Sequence, residues 1–478
     1  MKKILSLIFI LLFFVPENIF PQEQNVPITV IGDSLVGKNI NGESIREVFG
    51  NVTLTQGNVV ITCDKATQYL ARNDAELIGN VIARQEDLTI YTQQGFYYGN
   101  LRKCESHVGL KLNDREVELT AQSGEYFFDL DKAVFEKNVK LYDSVSVLTS
   151  NKLTYFRKEE KAIAQKDVKI TDAENIIFAD SLEHYRNQKI TFAFNNVAIK
   201  NKKNNSMIFG DHLEDYSQRW YTKIDVNPFL IQVDTVFINI IDTTFAPEQI
   251  DTVTIFTIDS LLIRSQIMES FRDTLNYFVA TDSVEILKGS FASKNNSTIL
   301  LRNENKIISK MINAVQPVLW YDNSQLTGDS ITIYLDRSSI KNLDIDKNSF
   351  LLSQNKIYPA RFDQASADRI KIYFKENKIN RSEFYSDSKS IYYLYDENEP
   401  NGLAKSSSES AAIIFSNSKV DEVRLYGSPV SEYYPENQVE NNERTFTLPG
   451  YKFIQDRPTK NSLLKYFENR KKFDWNNE

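Results

Sequence analysis

Residues 30–37, VIGDSLVG, contain a Gly-Asp-Ser-Leu run in which Ser34 has the setting of an ester-attacking nucleophile. A serine is weak until a base takes its proton and a third group orients that base. The chain's three histidines, His107, His184 and His212, all fall in its first half, and none has an aspartate three residues before it. No Asp-x-x-His pair follows Ser34, so its run is read as structural. The histidines occupy different positions of the repeat described below, which does not assemble the three or four converging ligands of a zinc site, and they are expected at the surface. Cys63 and Cys104 both sit where small inward residues recur, so they are either a disulfide or small core residues. No catalytic residue, metal site or cofactor is expected, and the chain is not expected to be an enzyme.

The Asp-Ser of the opening run is one member of a series. Asp33, Asp64, Gln93, Gln122, Asn151, Asp180 and Asp211 are separated by 31, 29, 29, 29, 29 and 31 residues. Such a register identifies a repeat architecture. Three residues before each anchor stand Ile61, Ile90, Leu119, Leu148, Ile177 and Ile208, and directly before it Cys63, Thr92, Ala121, Ser150, Ala179 and Gly210. A second apolar column lies seventeen residues past the anchor at Val81, Leu110, Val139, Val168 and Val197. Its continuation two residues later is Ala83, Leu112, Leu141, Ile170 and Ile199, while Phe135 precedes Val139 on the same face. Polar residues alternate with these columns, the period of a half-buried strand. Each unit is therefore two strands and a polar turn. Two of the seven anchors are Gln and no Gly-Asp-rich loop accompanies them, so the column is read as satisfying backbone at bends rather than binding calcium.

After Trp220 the period loosens, although DSLLI at 259–263, TDSVEI at 281–286 and GDSITIY at 328–334 keep its vocabulary. The expected organisation is a signal peptide over 1–22, a repeat β-domain over 28–222, an irregular connection over 223–254, a second β-segment over 255–396, and a loop-rich tail over 397–478 that includes NEPNGLAKSSSES. Lys2, Lys3 and the apolar run from Ile4 to Val15 carry the flanks of a secretory signal and are too short to span a bilayer. A net charge of −8 with both signs interspersed argues against nucleic-acid binding.

The recurring GNVTL, GNVIA, KNVKL and NNVAI strands at 50–54, 79–83, 137–141 and 195–199, each following a small residue and a polar anchor, resemble the OstA-like, LptA-type lipopolysaccharide-transport proteins. That resemblance implies an all-β fold, a repetitive open antiparallel β-jellyroll in two consecutive segments. It also implies a periplasmic location at the outer-membrane assembly machinery and a groove that shields the acyl chains of lipopolysaccharide. The groove would be lined by the two columns named above, Phe135 included. Edge-strand addition would join the chain to inner-membrane export components, to an outer-membrane translocon, or to itself. Periodicity alone leaves open a parallel solenoid whose columns are ordinary core; the function would then be that of an exported structural or adhesive interaction protein.

Overall fold

In the computed structural model, described for residues 26–203, 206–242, 251–336, 339–376, 378–416, 419–465, 468 and 470, with backbone alone for 234–259 and 419, the alternating segments form long antiparallel strands. The expected signal peptide lies outside the described residues. Many of the longer strands hold about a dozen residues, such as Val59–Tyr69, Asp74–Gln85 and Asn175–Tyr185, and these pair with their sequence neighbours. This is an antiparallel jellyroll-type sheet, not a parallel solenoid. Packing divides the chain into two units, one ending at Ala133 and one beginning at Val134.

Most of the long strands cross a corner. The register slips there, as between Phe49 and Val52 or between Phe194 and Val197. At the slip two consecutive residues take positive φ: Gly50 and Asn51 at 69° and 45°, Gly79 and Asn80 at 80° and 45°, Asn195 and Asn196 at 60° and 49°. Such bulges bend a strand and leave backbone groups without ladder partners. The anchor column meets this need. Asn51 Nδ2 donates to Asp33 Oδ2 (2.9 Å), Asn80 to Asp64 (2.9 Å), Asn196 to Asp180 (2.6 Å) and Asn227 to Asp211 (3.3 Å). At Asn151 the roles reverse and the anchor donates to Asp167 (3.1 Å). At Gln93 and Gln122 the bond is missing and the strands themselves are interrupted, into Lys103–Ser106 and Leu110–Asn113, then Glu118–Ala121 and Ser123–Phe127.

The corner folds each unit into two facing walls. In the second unit Phe278 and Ala280, before the corner of their strand, share one core with Val284 and Ile286 after it. That core continues through Ile331, Ile345 and Ile370 to Ala411.

The outer face of the second unit's post-corner wall is also apolar, and the chain's end covers it. From Glu436 to Lys465 the polypeptide runs back over strands already laid down, seating Val439 and Leu448 against Phe350, Leu352, Ile391 and Leu403, and Leu463 against Ala198, Phe209 and Phe229. Two buried glutamines read its backbone at residues i and i+2. Gln364 donates to Phe446 O (3.0 Å) and accepts from Leu448 N–H (2.9 Å), and Gln325 does the same with Lys452 (2.7 Å) and Ile454 (2.9 Å). Arg361 pairs with Glu436 and Glu443. Of residues 398–410, expected as loop from their Ser, Asn and Gly content, all but the first are instead within the strand Glu399–Ser416, because pairing on both sides overrides that composition. Part of the expected irregular connection is likewise strand, Tyr221–Asp225 and Phe229–Asp242; residues 243–250 lie outside the described residues.

Two outcomes follow. Gly79→Ala places a Cβ 2.3 Å from Asp64 Oδ2 at positive φ, and should destabilise by roughly 2 kcal/mol, against ~1 kcal/mol for Asp64→Ala; denaturant titration that ranks Asp64→Ala as the costlier change would refute this account of the corner. Asp363 accepts from Tyr393 N–H (3.0 Å), and burial pushes its carboxyl up to about 6. The folded chain then holds this proton more tightly than the unfolded chain, so its contribution to stability falls as pH rises through roughly 4 to 6 and stays low above. Asp363→Asn should raise the melting temperature near pH 7.5 and leave it almost unchanged near pH 4.

Candidate functional site

The columns read from the sequence converge on the inner faces of the walls, but with two different outcomes. In the first unit Ile61, Val81, Ile90, Leu110, Leu112 and Leu119 are all buried. The space left among Ile61, Leu77, Val81, Ile90, Cys104 and Leu110 is about 20 Å³, room for one water and not for an alkyl chain. Side chains at the free rims hold these walls together: Tyr97 Oη donates to Gln56 Oε1 (2.5 Å), Gln56 Nε2 to Gly99 O (3.0 Å), Arg102 to Asn58 Oδ1 (2.6 Å) and Gln85 to Phe128 O (3.4 Å). A shallow, open depression of about 350 Å³ lies elsewhere, beside the interrupted corner at Tyr91, Gln93 and Gly109.

In the second unit Phe135, Val139, Leu141, Leu148, Val168 and Val197 are buried, whereas Ile170, Ile177, Ile199 and Ile208 are only half-buried, Ile208 packing against the core. These four lie directly opposite one another across successive strands. Their row continues into Leu230, Ile263 and Ile286, which are buried at 8, 5 and 4% exposure. One column is thus closed at one end and accessible at the other.

The opposite wall supplies the reason. Along the same strands its inner row reads Ala162, His184, Thr191, Asp215, Thr222 and Ser270 before becoming apolar at Phe278. Burying such groups without partners is costly. They satisfy one another instead: His184 Nδ1 lies 3.0 Å from Thr191 Oγ1, and Asp215 accepts from Thr222 (2.6 Å), Ser217 (2.6 Å) and Arg272 (2.9 Å). Burial lowers the pKa of His184 from its ordinary value, keeping the ring neutral. This wall cannot close dry on the isoleucines.

The other candidates resolve simply. Ser34 opens an exposed strand, Ser34–Ile40, and its neighbour Asp33 is committed to the corner. Cys63 and Cys104 are buried and form no disulfide, and burial pushes their thiols up to about 11 and about 12, far from a reactive thiolate. The expectation of surface histidines holds only for His107. His184 is half-buried in the polar row, and His212 is half-buried against Asp225 (2.7 Å) and stacked on Phe194. His212, Glu214 and Asp225 converge as a metal site would, but Lys223 Nζ already lies 2.7 Å from Asp225 and 3.5 Å from Glu214. The lysine supplies the cation. The rim glutamines and the row from His184 to Ser270 were not singled out from the sequence. A polar residue standing in an inward column, as Thr191 does eleven residues after Asp180, was the available signal.

Residues 28–180 match the family described as OstA-like protein. Over that segment the chain resembles this family. The segment contains the corner pairs of Asp64 with Asn80 and of Asn151 with Asp167, and both inward columns as far as Ile177. No curated protein matches the chain. Among solved structures, LptH from Pseudomonas aeruginosa, described as the LptA-homologous periplasmic component of the lipopolysaccharide transport device, is 16% identical over 30% of this chain and 87% of that one, with a TM-score of 0.16, a level that carries no argument. Among the described residues no helix is long and apolar enough to cross a membrane.

If the rim bonds close the OstA-like first unit, Gln56→Ala should cost about 1–3 kcal/mol by stranding the buried Tyr97 hydroxyl, and should speed backbone hydrogen exchange in Val59–Tyr69. Unchanged exchange there would assign closure to the apolar contacts alone.

Proposed function

We propose that this protein is a periplasmic lipopolysaccharide-transport component that shields acyl chains between two β-walls and performs no catalysis. The half-exposed row Ile170, Ile177, Ile199 and Ile208 carries the reading. An apolar stripe kept wet by the opposite wall is costly to a folded protein unless something covers it. An acyl segment of eight methylenes laid there would gain roughly 6 kcal/mol. The buried remainder of both columns would line the groove only where the walls part.

The bridge role rests on the edges. In the first unit Ser34–Ile40 pairs, among the described residues, only with Glu43–Gln56, and Leu35, Val36 and Ile40 are exposed. In the second unit Lys419–Tyr426 and Val430–Tyr434 pair, among the described residues, only with Glu399–Ser416, with Tyr426, Val430 and Tyr433 exposed. Such edges accept another chain's strand, in line with the proposed inner- and outer-membrane partners and with self-association. The closed interior of the first unit favours, for that unit, the second reading of a structural interaction protein.

A photo-reactive residue at Ile199 in living cells should capture lipopolysaccharide, while one at its opposite-face neighbour Lys200 should not. Absence of lipid at Ile199, in a protein shown to be folded and exported, would make this row ordinary core and favour the second reading.

A further inference from the structure

The open hollow of the first unit lies at a corner where the repeat breaks its own rule. At four corners the anchor bonds an Asn or Asp sixteen residues on: Asp64 with Asn80, Asn151 with Asp167, Asp180 with Asn196 and Asp211 with Asn227. Sixteen residues past Gln93 stands Gly109, which has no side chain to offer. Among the described residues the Gln93 amide has no partner, and the space of about 350 Å³ beside it is bounded by Asn80, Ile82, Tyr91 and Lys111. We propose that this hollow binds an acetamido sugar of a glycan chain. The site does not depend on the acyl columns.

Position shows why. Ile82, Tyr91 and Lys111 stand opposite one another on three adjacent strands, while their chain neighbours Val81, Ile90 and Leu110 are buried on the other face. The hollow therefore opens on the outside of the wall. Its floor is fixed by bonds beneath it: Thr92 Oγ1 donates to Gly109 O (2.7 Å), Ser106 Oγ donates to Gln94 O (2.8 Å), and Gly109 N–H donates to Gln122 O (2.8 Å). Slumping into the space would break them.

The chemistry of the lining selects the ligand. Tyr91 is 41% exposed and, with half-buried Ile82 beside it, offers an apolar platform; its hydroxyl, like the Gln93 amide, has no partner among the described residues. A sugar ring lays a face of C–H groups on such a platform and turns its polar groups to the margin. There Gln93 offers both a donor and an acceptor, and Asn80, whose Nδ2 is spent on Asp64, keeps its side-chain carbonyl. An acetamido group meets this set better than a hydroxyl does, pairing its own N–H and C=O with a side-chain amide and setting its methyl on Ile82. The row also continues across the strands, through Thr62 and Thr53 on one side and Thr120 on the other. Sugars linked on either side of the one at Tyr91 would meet these hydroxyls.

The competing account is that the hollow is only a gap left by Gly109. It predicts no sugar binding. Ligand-observed nuclear magnetic resonance titrations of the full-length exported chain separate the two, using tri-N-acetylchitotriose, cellotriose, which has the same linkage with hydroxyls in place of the acetamido groups, and the sugar chain cleaved from lipopolysaccharide. Tri-N-acetylchitotriose should bind at least about fivefold tighter than cellotriose. Tyr91→Ala should weaken it about tenfold or more. Gln93→Leu, which keeps the bulk and removes the amide, should bring the two trisaccharides within about twofold of each other. Both side chains are exposed, so the melting temperature should stay at the parent's in either variant. No binding, equal affinity of the two trisaccharides for the parent chain, or binding unmoved by Tyr91→Ala overturns the site. Tighter binding of the lipopolysaccharide sugar than of tri-N-acetylchitotriose overturns the choice of ligand. None of these outcomes bears on the acyl groove, which stands or falls on the crosslink at Ile199.

Discussion

Everything in this molecule hangs on bending a β-strand in the middle without orphaning its backbone. A flat strand of a dozen residues can cover one surface; folded at its centre, it contributes to both walls of a cleft. The bend is made by two successive residues in the left-handed region, where asparagine and glycine are tolerated and most side chains are strained. A carboxylate or amide on the preceding strand, as at Asp64 for Asn80 and Asp180 for Asn196, holds the asparagine in that geometry. The cost at any one corner is near that of a single hydrogen bond, but each strand's corner is stacked on the last. A repeat near 29 residues is what keeps successive anchors in register.

Once the strands are bent, the contents of the cleft follow from what each wall presents. Where both inner rows are apolar, as from Phe278 and Ile286 through Ile345 and Ile372, the walls meet and water leaves. Where glutamine and tyrosine meet at the rims, as at Gln56 and Tyr97, their mutual bonds allow closure over an apolar interior. Between these cases lie the strands from Asn175 to Asp225, with an isoleucine row on one wall and His184, Thr191, Asp215 and Thr222 on the other. Dry closure there would set polar groups against hydrocarbon, which is why the proposed reading keeps this part of the cleft accessible. What each stretch of the cleft presents is set by side chains on an unchanged backbone.

Much of this was legible in the sequence because period and register are local properties. The anchors from Asp33 to Asp211, the columns through Leu148 and Val197, and the strand character of 28–222 could be read because one residue in a fixed column implies its neighbours above and below. The groove-or-core question could not be read, because it depends on which rows face each other across the cleft; Ile177 and Ile90 look alike in sequence and differ only in their opposite wall. The histidines misled through type without geometry: His184 and His212 were expected at the surface, yet each is half-buried with a fixed partner. The stretch around Ser406 read as loop because its serines alternate with nothing apolar, yet pairing on both edges makes it strand.

The chain's end was the least legible element, since Val439, Leu448, Ile454 and Leu463 follow neither period. Its position nonetheless answers a problem that the inner core creates. A strand with apolar residues on both faces buries one face in the cleft and leaves the other, here Phe209, Phe229, Leu352 and Ile391, open to water and to other sheets. Covering that face with an ordinary strand would demand edge pairing, which a closed antiparallel wall has no room to offer. An extended segment crossing the strands has no ladder partners either, so its own backbone must be satisfied from side chains. Gln325 and Gln364 do this: an amide side chain offers one donor and one acceptor in the spacing of a peptide group, and each of the two bonds a carbonyl and the N–H two residues later. The same amide chemistry that locks the first unit's rims from inside thus secures the second unit's cover from outside. In both places a buried glutamine stands in for a missing strand.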